Sequence, residues 1–290
     1  MSNWQFPAER DSTTPTPDDL VARREGAAAM LGGALTEGVR VVNADLGGVG
    51  CVVCEPAAPH ATIIWFHGGG YRLGSAEGSK VFASRLASIT SARVVMVDYR
   101  LAPEHPYPAA VVDAARVYDA VLADPAWNAV PTFAAGDSAG GGLALALAVA
   151  ARDAGAAVPA GLVLLSPWAD LRNDAVSFTT NAATDPLFSL ASAVEASGQY
   201  LQGHDPSDPY VSPVLADHTG LPPALVIAST DESLRDDALA VASLLAIAHI
   251  GVELHLVPDT QHVWPTIFPD HPATLPALED IATFVHRLSI

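Results

Sequence analysis

Short apolar runs rich in β-branched residues recur along the chain, at 62–66, 93–98, 132–135, 161–165, 224–228 and 252–257. Each ends in turn residues, and the apolar positions are continuous rather than alternating. That pattern predicts strands covered on both faces. Helical stretches at 79–90 and 141–151 separate some of the runs, and strand alternating with helix predicts an α/β fold: a mostly parallel central sheet with helices on both faces. The segments 39–45 and 48–54 predict an antiparallel hairpin at one edge. Two stretches break the rhythm. Residues 1–36 are polar and proline-rich, then helical. Residues 170–215 carry Pro186, Pro206, Pro209 and Pro213 around a predicted helix at 190–201. Long excursions in a compact domain are usually lids or binding loops, so both are assigned to a helical cap on a single domain spanning 1–290.

Composition narrows the function. With 32 acidic against 14 basic residues, the net charge of −18 opposes binding to nucleic acid or an anionic membrane. Half of the 290 residues are hydrophobic, enough for one large core. The two cysteines, Cys51 and Cys54, lack the second pair that a four-ligand zinc site needs. Three apart on a strand, they point to opposite faces and read as small buried hydrophobes. So few cysteines require no oxidising compartment. The N-terminal residues show no basic start followed by an apolar stretch, and the apolar helix at 139–151 is shorter than the ~20 residues of a membrane span. The expectation is a soluble cytoplasmic protein.

Chemistry enters with Gly136-Asp137-Ser138-Ala139-Gly140, a G-x-S-x-G sequence directly after one apolar run and directly before a helix. That strand–turn–helix setting is what a nucleophile elbow requires. The serine must ride a sharp turn so that its oxygen projects, and the glycines remove side chains that would clash. The same turn aims the N–H of Ala139 at the oxygen that becomes charged during attack, and the helix N-terminus favours that charge. His67-Gly68-Gly69-Gly70 follows the run 62–66. An HGGG loop is the other half of an oxyanion hole, because glycines let backbone N–H groups face a site unobstructed. A phosphate loop fits less well, since no Gly-Lys-Ser/Thr follows.

The base must be reachable from Ser138 and should sit on a loop beyond a strand end. Of the ten histidines, His262 fits, following 252–257 and a turn; His255 lies inside that strand, and His249 and His286 lie in helical patterns. The orienting acid should lie between Ser138 and His262 in chain order, after a strand. Asp231 and Glu232 both qualify, while Asp236 and Asp237 open the next helix.

At this point the sequence resembles the bacterial hormone-sensitive-lipase-like esterases, of α/β-hydrolase fold. Three stretches carry the resemblance, in order: His67-Gly-Gly-Gly, Asp98-Tyr99-Arg100-Leu101-Ala102-Pro103-Glu104-His105-Pro106-Tyr107-Pro108 and Gly136-Asp-Ser-Ala-Gly-Gly. It runs from about residue 40 to the C-terminus. In that family the acid usually opens Asp-Pro-Leu-Arg-Asp-Glu, thirty residues before the histidine. Glu232-Ser233-Leu234-Arg235-Asp236-Asp237 keeps the leucine and arginine in register, so the resemblance implies Glu232 over Asp231, with glutamate where aspartate is usual. It further implies oxyanion donors at Gly69, Gly70 and Ala139, with Gly68 shaping the loop. The 98–110 stretch is read as a fixed turn behind the site with no catalytic role. The implied chemistry is acyl transfer from a short-chain ester, through an acyl-enzyme on Ser138, needing no metal or cofactor. The expected partner is a small-molecule ester, and the family suggests a homodimer along the last strand. Two rivals are an amide hydrolase, such as an arylformamidase, on the same triad and a non-catalytic receptor on this fold. The receptor reading is disfavoured because serine, acid and histidine are all present.

Overall fold

Alternation hidden inside the continuous apolar runs decides what each strand face covers. In β3 (Thr62–Phe66), Ile63 and Trp65 join one core and Ile64 and Phe66 the other. In β4 (Arg93–Val97), Val94 and Met96 face the first core, Val95 and Val97 the second. Successive strand side chains point to opposite faces, so a run apolar throughout belongs to a sheet with cover on both sides. Cys51 and Cys54 obey the same rule: they are free, buried and in different cores. Burial pushes both thiols up to about 12.

The computed structural model describes residues 2–290, apart from the side chains of residues 28–30; Met1 of the 1–36 excursion lies outside that description. Within it, eight strands form one sheet in the order β1-β2-β4-β3-β5-β6-β7-β8. The antiparallel part is the hairpin of β1 (Arg40–Leu46) and β2 (Val49–Glu55), with β2 also antiparallel to β4. The parallel strands β5 (Thr132–Asp137), β6 (Leu162–Leu165), β7 (Ala224–Ser229) and β8 (Val252–Val257) follow on the other side of β3. This is the α/β-hydrolase architecture expected from the sequence.

The helices in chain order are α1 (Leu20–Met30), α2 (Lys80–Thr90), α3 (Ala109–Ala123), α4 (Ala139–Asp153), α5 (Ser177–Thr180), α6 (Leu190–Leu201), α7 (Arg235–Ile247), α8 (Trp264–Ile267) and α9 (Thr274–Arg287). Phe82 of α2 and Leu278 and Phe284 of α9 fill one core; α3, α4 and α7 fill the other. Helix α4 is apolar around its whole circumference and buried from Ala139 to Ala151, as a helix without a polar face must be.

Strand order then places the site. β4 lies on one side of β3 and β5 on the other, so the chain reverses its winding between them, and a crevice opens at the carboxyl ends of the strands there. Phe66 is in register with Gly136. The glycine loop and the serine elbow, some seventy residues apart, therefore leave the sheet side by side. The loops after β7 and β8 reach the same edge. Both excursions reach it too: Arg23 and Ala27 of α1 and Leu187, Phe188, Ser192 and Ala196 of 170–215 line a cavity with Ser138. Among the described residues, no helix is long and apolar enough to cross a membrane.

Candidate active site

The elbow needs glycine at both ends because backbones touch there. A Cβ on Gly140 would run into the Phe66 carbonyl, and one on Gly136 into the carbonyl of Gly140. Between them Ser138 holds φ 55° and ψ −121°, a conformation costly for any side chain and characteristic of functional turns. Ser138 N donates to Leu165 O at 2.9 Å, while its own carbonyl accepts from Trp168 N at 2.9 Å and Gly142 N at 3.1 Å. The turn is thus clamped between β6 and α4, with the side chain left to project.

The glycine loop is held from two directions. Tyr99 Oη donates to the His67 carbonyl at 2.7 Å, and Ala102 N to the Tyr71 carbonyl at 2.8 Å, so the 98–110 stretch braces the loop at each end. Gly68 N donates to Asp137 Oδ2 at 3.0 Å, and Trp65 Nε1 to Asp137 Oδ1 at 2.9 Å. The Gly68 N–H is therefore occupied. Among the described residues Gly69 and Gly70 give their N–H groups to no protein acceptor. Ala139, first residue of α4, has no intrahelical acceptor for its own. Gly69 sits at φ 116°, where a Cβ would meet the Leu73 carbonyl. Burial pushes the Asp137 carboxyl up to about 6, against the Trp65 hydrogen bond and the His262 charge, which favour its ionised form.

His262 Nε2 lies 3.0 Å from Ser138 Oγ, and His262 Nδ1 lies 2.7 Å from Glu232 Oε2. All three residues are buried, Glu232 completely. The second carboxylate oxygen of Glu232 accepts from Ser229 N at 3.1 Å, so the longer acid folds back over its own loop before reaching the histidine. Asp231 points elsewhere, its Oδ2 accepting from Asp259 N at 2.9 Å. Val263 N donates to Ser166 Oγ at 3.2 Å, and the Phe188 ring stacks on His262 with centroids 5.6 Å apart. Burial disfavours the charged imidazole, but the hydrogen bond and charge of Glu232 outweigh it and hold the His262 pKa above its ordinary value.

Ser138, His262 and the three glycines thus line one cavity, with Ala139 next to the serine and Glu232 behind the histidine. His255 is paired with Asp280 at 2.8 Å, away from the site. Asp236 and Asp237 do open α7, but their carboxylates accept from Ser177 N and from Ala169 N and Asp170 N, tying α7 to the second excursion. Sequence reading passed over Asp137, which orders the glycine loop, and Phe188, which covers the histidine. A charged residue inside the otherwise apolar β5–α4 passage is the signal that could have singled out Asp137. Phe188 leaves no such mark.

Comparison with known proteins identifies the family. Residues 63–266 match the family described as alpha/beta hydrolase fold. The chain is 39% identical over 224 residues to an acetyl-hydrolase of Streptomyces hygroscopicus, covering 77% of this chain and 75% of that protein. It is 35% identical over 229 residues to an esterase of Acinetobacter venetianus, covering 79% and 75%. Among solved structures, an esterase from the bacterial hormone-sensitive lipase family superposes with a TM-score of 0.88 at 35% identity, over 95% of this chain and 93% of the other. The chain belongs to the α/β-hydrolase fold family, among its bacterial hormone-sensitive-lipase-like esterases.

Proposed function

We propose that the protein hydrolyses short-chain carboxylic esters through an acyl-enzyme on Ser138. The observation that carries this is the unbroken hydrogen-bonded line Ser138 Oγ, His262, Glu232 at 3.0 and 2.7 Å. His262 Nε2 takes the serine proton as Oγ attacks the ester carbonyl. The N–H groups of Gly69, Gly70 and Ala139 hold the oxyanion, with Gly68 locked on Asp137 to shape the loop. Collapse of the tetrahedral adduct expels the alcohol, which takes its proton from His262. Water, deprotonated by the same nitrogen, then releases the acid. Glu232 keeps the proton on Nδ1 and stabilises the imidazolium formed at each step. No cofactor enters this sequence.

The cavity supports a small substrate. Its volume is about 320 Å³, and Phe82, Met96, Val263 and Ile267 give it apolar walls. That size stands at the lower end of ligand pockets, roughly 300–1,000 Å³. The acetyl-hydrolase relative points the same way. Helix α1 and the 170–215 stretch, which line this volume, act as its cap and exclude water. With p-nitrophenyl esters as substrates, kcat/KM is expected to peak at acyl chains of about two to six carbons and to fall at least ~10-fold by twelve. A fluorophosphonate probe should label Ser138. A maximum at long chains, faster cleavage of the matching anilides, or no labelling would each overturn the reading.

The open sheet edge at β8 supports a homodimer paired along that strand. Light scattering should then give twice the 30.0 kDa chain mass; a mass of one chain at micromolar concentration refutes it.

A further inference from the structure

The loop that carries Glu232 is held from outside by side chains of residues 177–188, part of the second excursion. Asn181 Nδ2 donates to the carbonyl oxygens of both Thr230 and Glu232, each at 2.9 Å. Thr184 Oγ1 donates to the Asp231 carbonyl at 2.7 Å, and Ser177 Oγ to the Ser233 carbonyl at 2.6 Å. Four consecutive carbonyls of the loop, 230 to 233, thus end on side chains of one neighbouring segment. Ser233 N adds a bond in the other direction, donating to Asp185 Oδ2 at 2.8 Å. A loop of this kind would ordinarily leave such carbonyls to water, which fixes nothing.

Asn181 is the centre of this arrangement. It is 7% exposed, and its two donated bonds straddle the acid, one to the Glu232 carbonyl itself. The neighbours dictate which way the amide points. Nδ2 faces two carbonyl oxygens, while Oδ1 accepts from Thr180 Oγ1 at 3.2 Å and Arg235 Nη1 at 3.4 Å. A turned amide would set oxygen against oxygen on one side and nitrogen against a guanidinium on the other.

The glutamate makes such support necessary. One methylene longer than aspartate, it has an additional torsion to order before its carboxylate can meet a fixed nitrogen. Its own loop supplies one anchor, Ser229 N on Oε1. The rest of its aim comes from the backbone of residue 232, whose carbonyl also accepts from Arg235 N at 3.3 Å. We infer that Asn181 is a positioning residue for hydrolysis: by bonding the Thr230 and Glu232 carbonyls it fixes the backbone from which Glu232 reaches His262 Nδ1. This rests on Glu232 being the acid of the proposed triad. The same segment lines the cavity with Leu187 and Phe188, so the cap wall and the acid loop are one mechanical unit.

The test is a double-mutant cycle of Asn181→Ala with Glu232→Gln, on p-nitrophenyl butyrate, with folding of each variant checked by thermal melting. In the wild-type background Asn181→Ala is expected to lower kcat about 10- to 100-fold, since small misplacements of this kind are that damaging, with KM within ~3-fold. The acid limb of kcat/KM should move to lower pH, because His262 keeps its burial and loses part of the Glu232 interaction. In the Glu232→Gln background the same change should cost less than about 3-fold, as expected of residues acting through one another. A merely structural asparagine would lower the melting temperature and leave the pH limb in place. If Asn181→Ala does not fold, Asn181→Leu, which restores the bulk without the donors, is read in the same way. Unchanged kcat, an unmoved acid limb, or an equal loss in both backgrounds overturns the role of Asn181. Wild-type kcat in Glu232→Gln instead overturns the triad reading, and the inference with it.

Discussion

Ser138→Ala is expected to lower kcat for p-nitrophenyl butyrate by about 10⁶-fold while leaving the protein folded. The change removes one atom whose protein partner is His262 Nε2 at 3.0 Å. The elbow itself is made by backbone: the bonds of Ser138 N and O to Leu165, Trp168 and Gly142 survive the substitution. On the proposed mechanism no acyl-enzyme can then form, and what remains is the ~10³–10⁴-fold acceleration over water that an oxyanion site and binding provide alone. Steady-state kinetics with a fluorophosphonate labelling control would check it. Residual kcat above about 1% of wild type would mean that another group carries the acyl transfer.

The second large effect concerns the acid. Glu232→Gln is expected to reduce kcat about 10³–10⁴-fold, because an amide can donate to Nδ1 and so stabilise the tautomer that carries its proton on Nε2, which cannot accept the serine proton. The pH profile adds a sign that kcat alone lacks. On the proposed mechanism only neutral His262 serves as base, so kcat/KM is expected to rise with pH through the His262 pKa, which the wild-type Glu232 holds above the ordinary 6.5. Removing the carboxylate leaves burial as the dominant influence, and the acid limb moves to lower pH. Stability runs the other way. The ion pair of His262 with Glu232 contributes fully below pH 6.5 and fades as pH rises through the folded-state pKa, the range in which activity appears. Asp231→Asn is the control, expected to change kcat less than about 2-fold because Asp231 bonds Asp259 N rather than the histidine. If Asp231→Asn abolishes activity and Glu232→Gln does not, the acid is the neighbouring residue.

The two carboxylates mark the boundary between what was legible in sequence and what was not. Residues 231 and 232 are adjacent, both acidic and both on a loop after a strand. Neither periodicity nor chain order separates them, and only the register of a related family favoured Glu232. In the folded chain one side chain turns inward to complete burial and the other bonds the next loop at the surface. The elbow, in contrast, was readable because its G-x-S-x-G pattern, between an apolar run and a helix, lies within a few residues. Gly136 is demanded by the Gly140 carbonyl within the strand–turn–helix, and Gly140 by the carbonyl of Phe66 on the paired strand, which ends a run whose apolar pattern already announced a buried strand.

The sequence by itself determined the α/β alternation, the doubly covered strands, the serine at its turn, the glycine loop and the histidine beyond the last strand. Those features are written in short-range periodicity and in glycines where backbones crowd. Only the tertiary structure decided which acid meets His262, that Asp137 takes the Gly68 N–H, that Tyr99 braces the loop, and that Asn181 holds the carbonyls around Glu232. Each of those bonds joins residues 30 or more positions apart. A hydrogen bond over that span requires the sheet order to bring two loops together first, and a lone polar side chain in an excursion carries no mark of the carbonyl it will find.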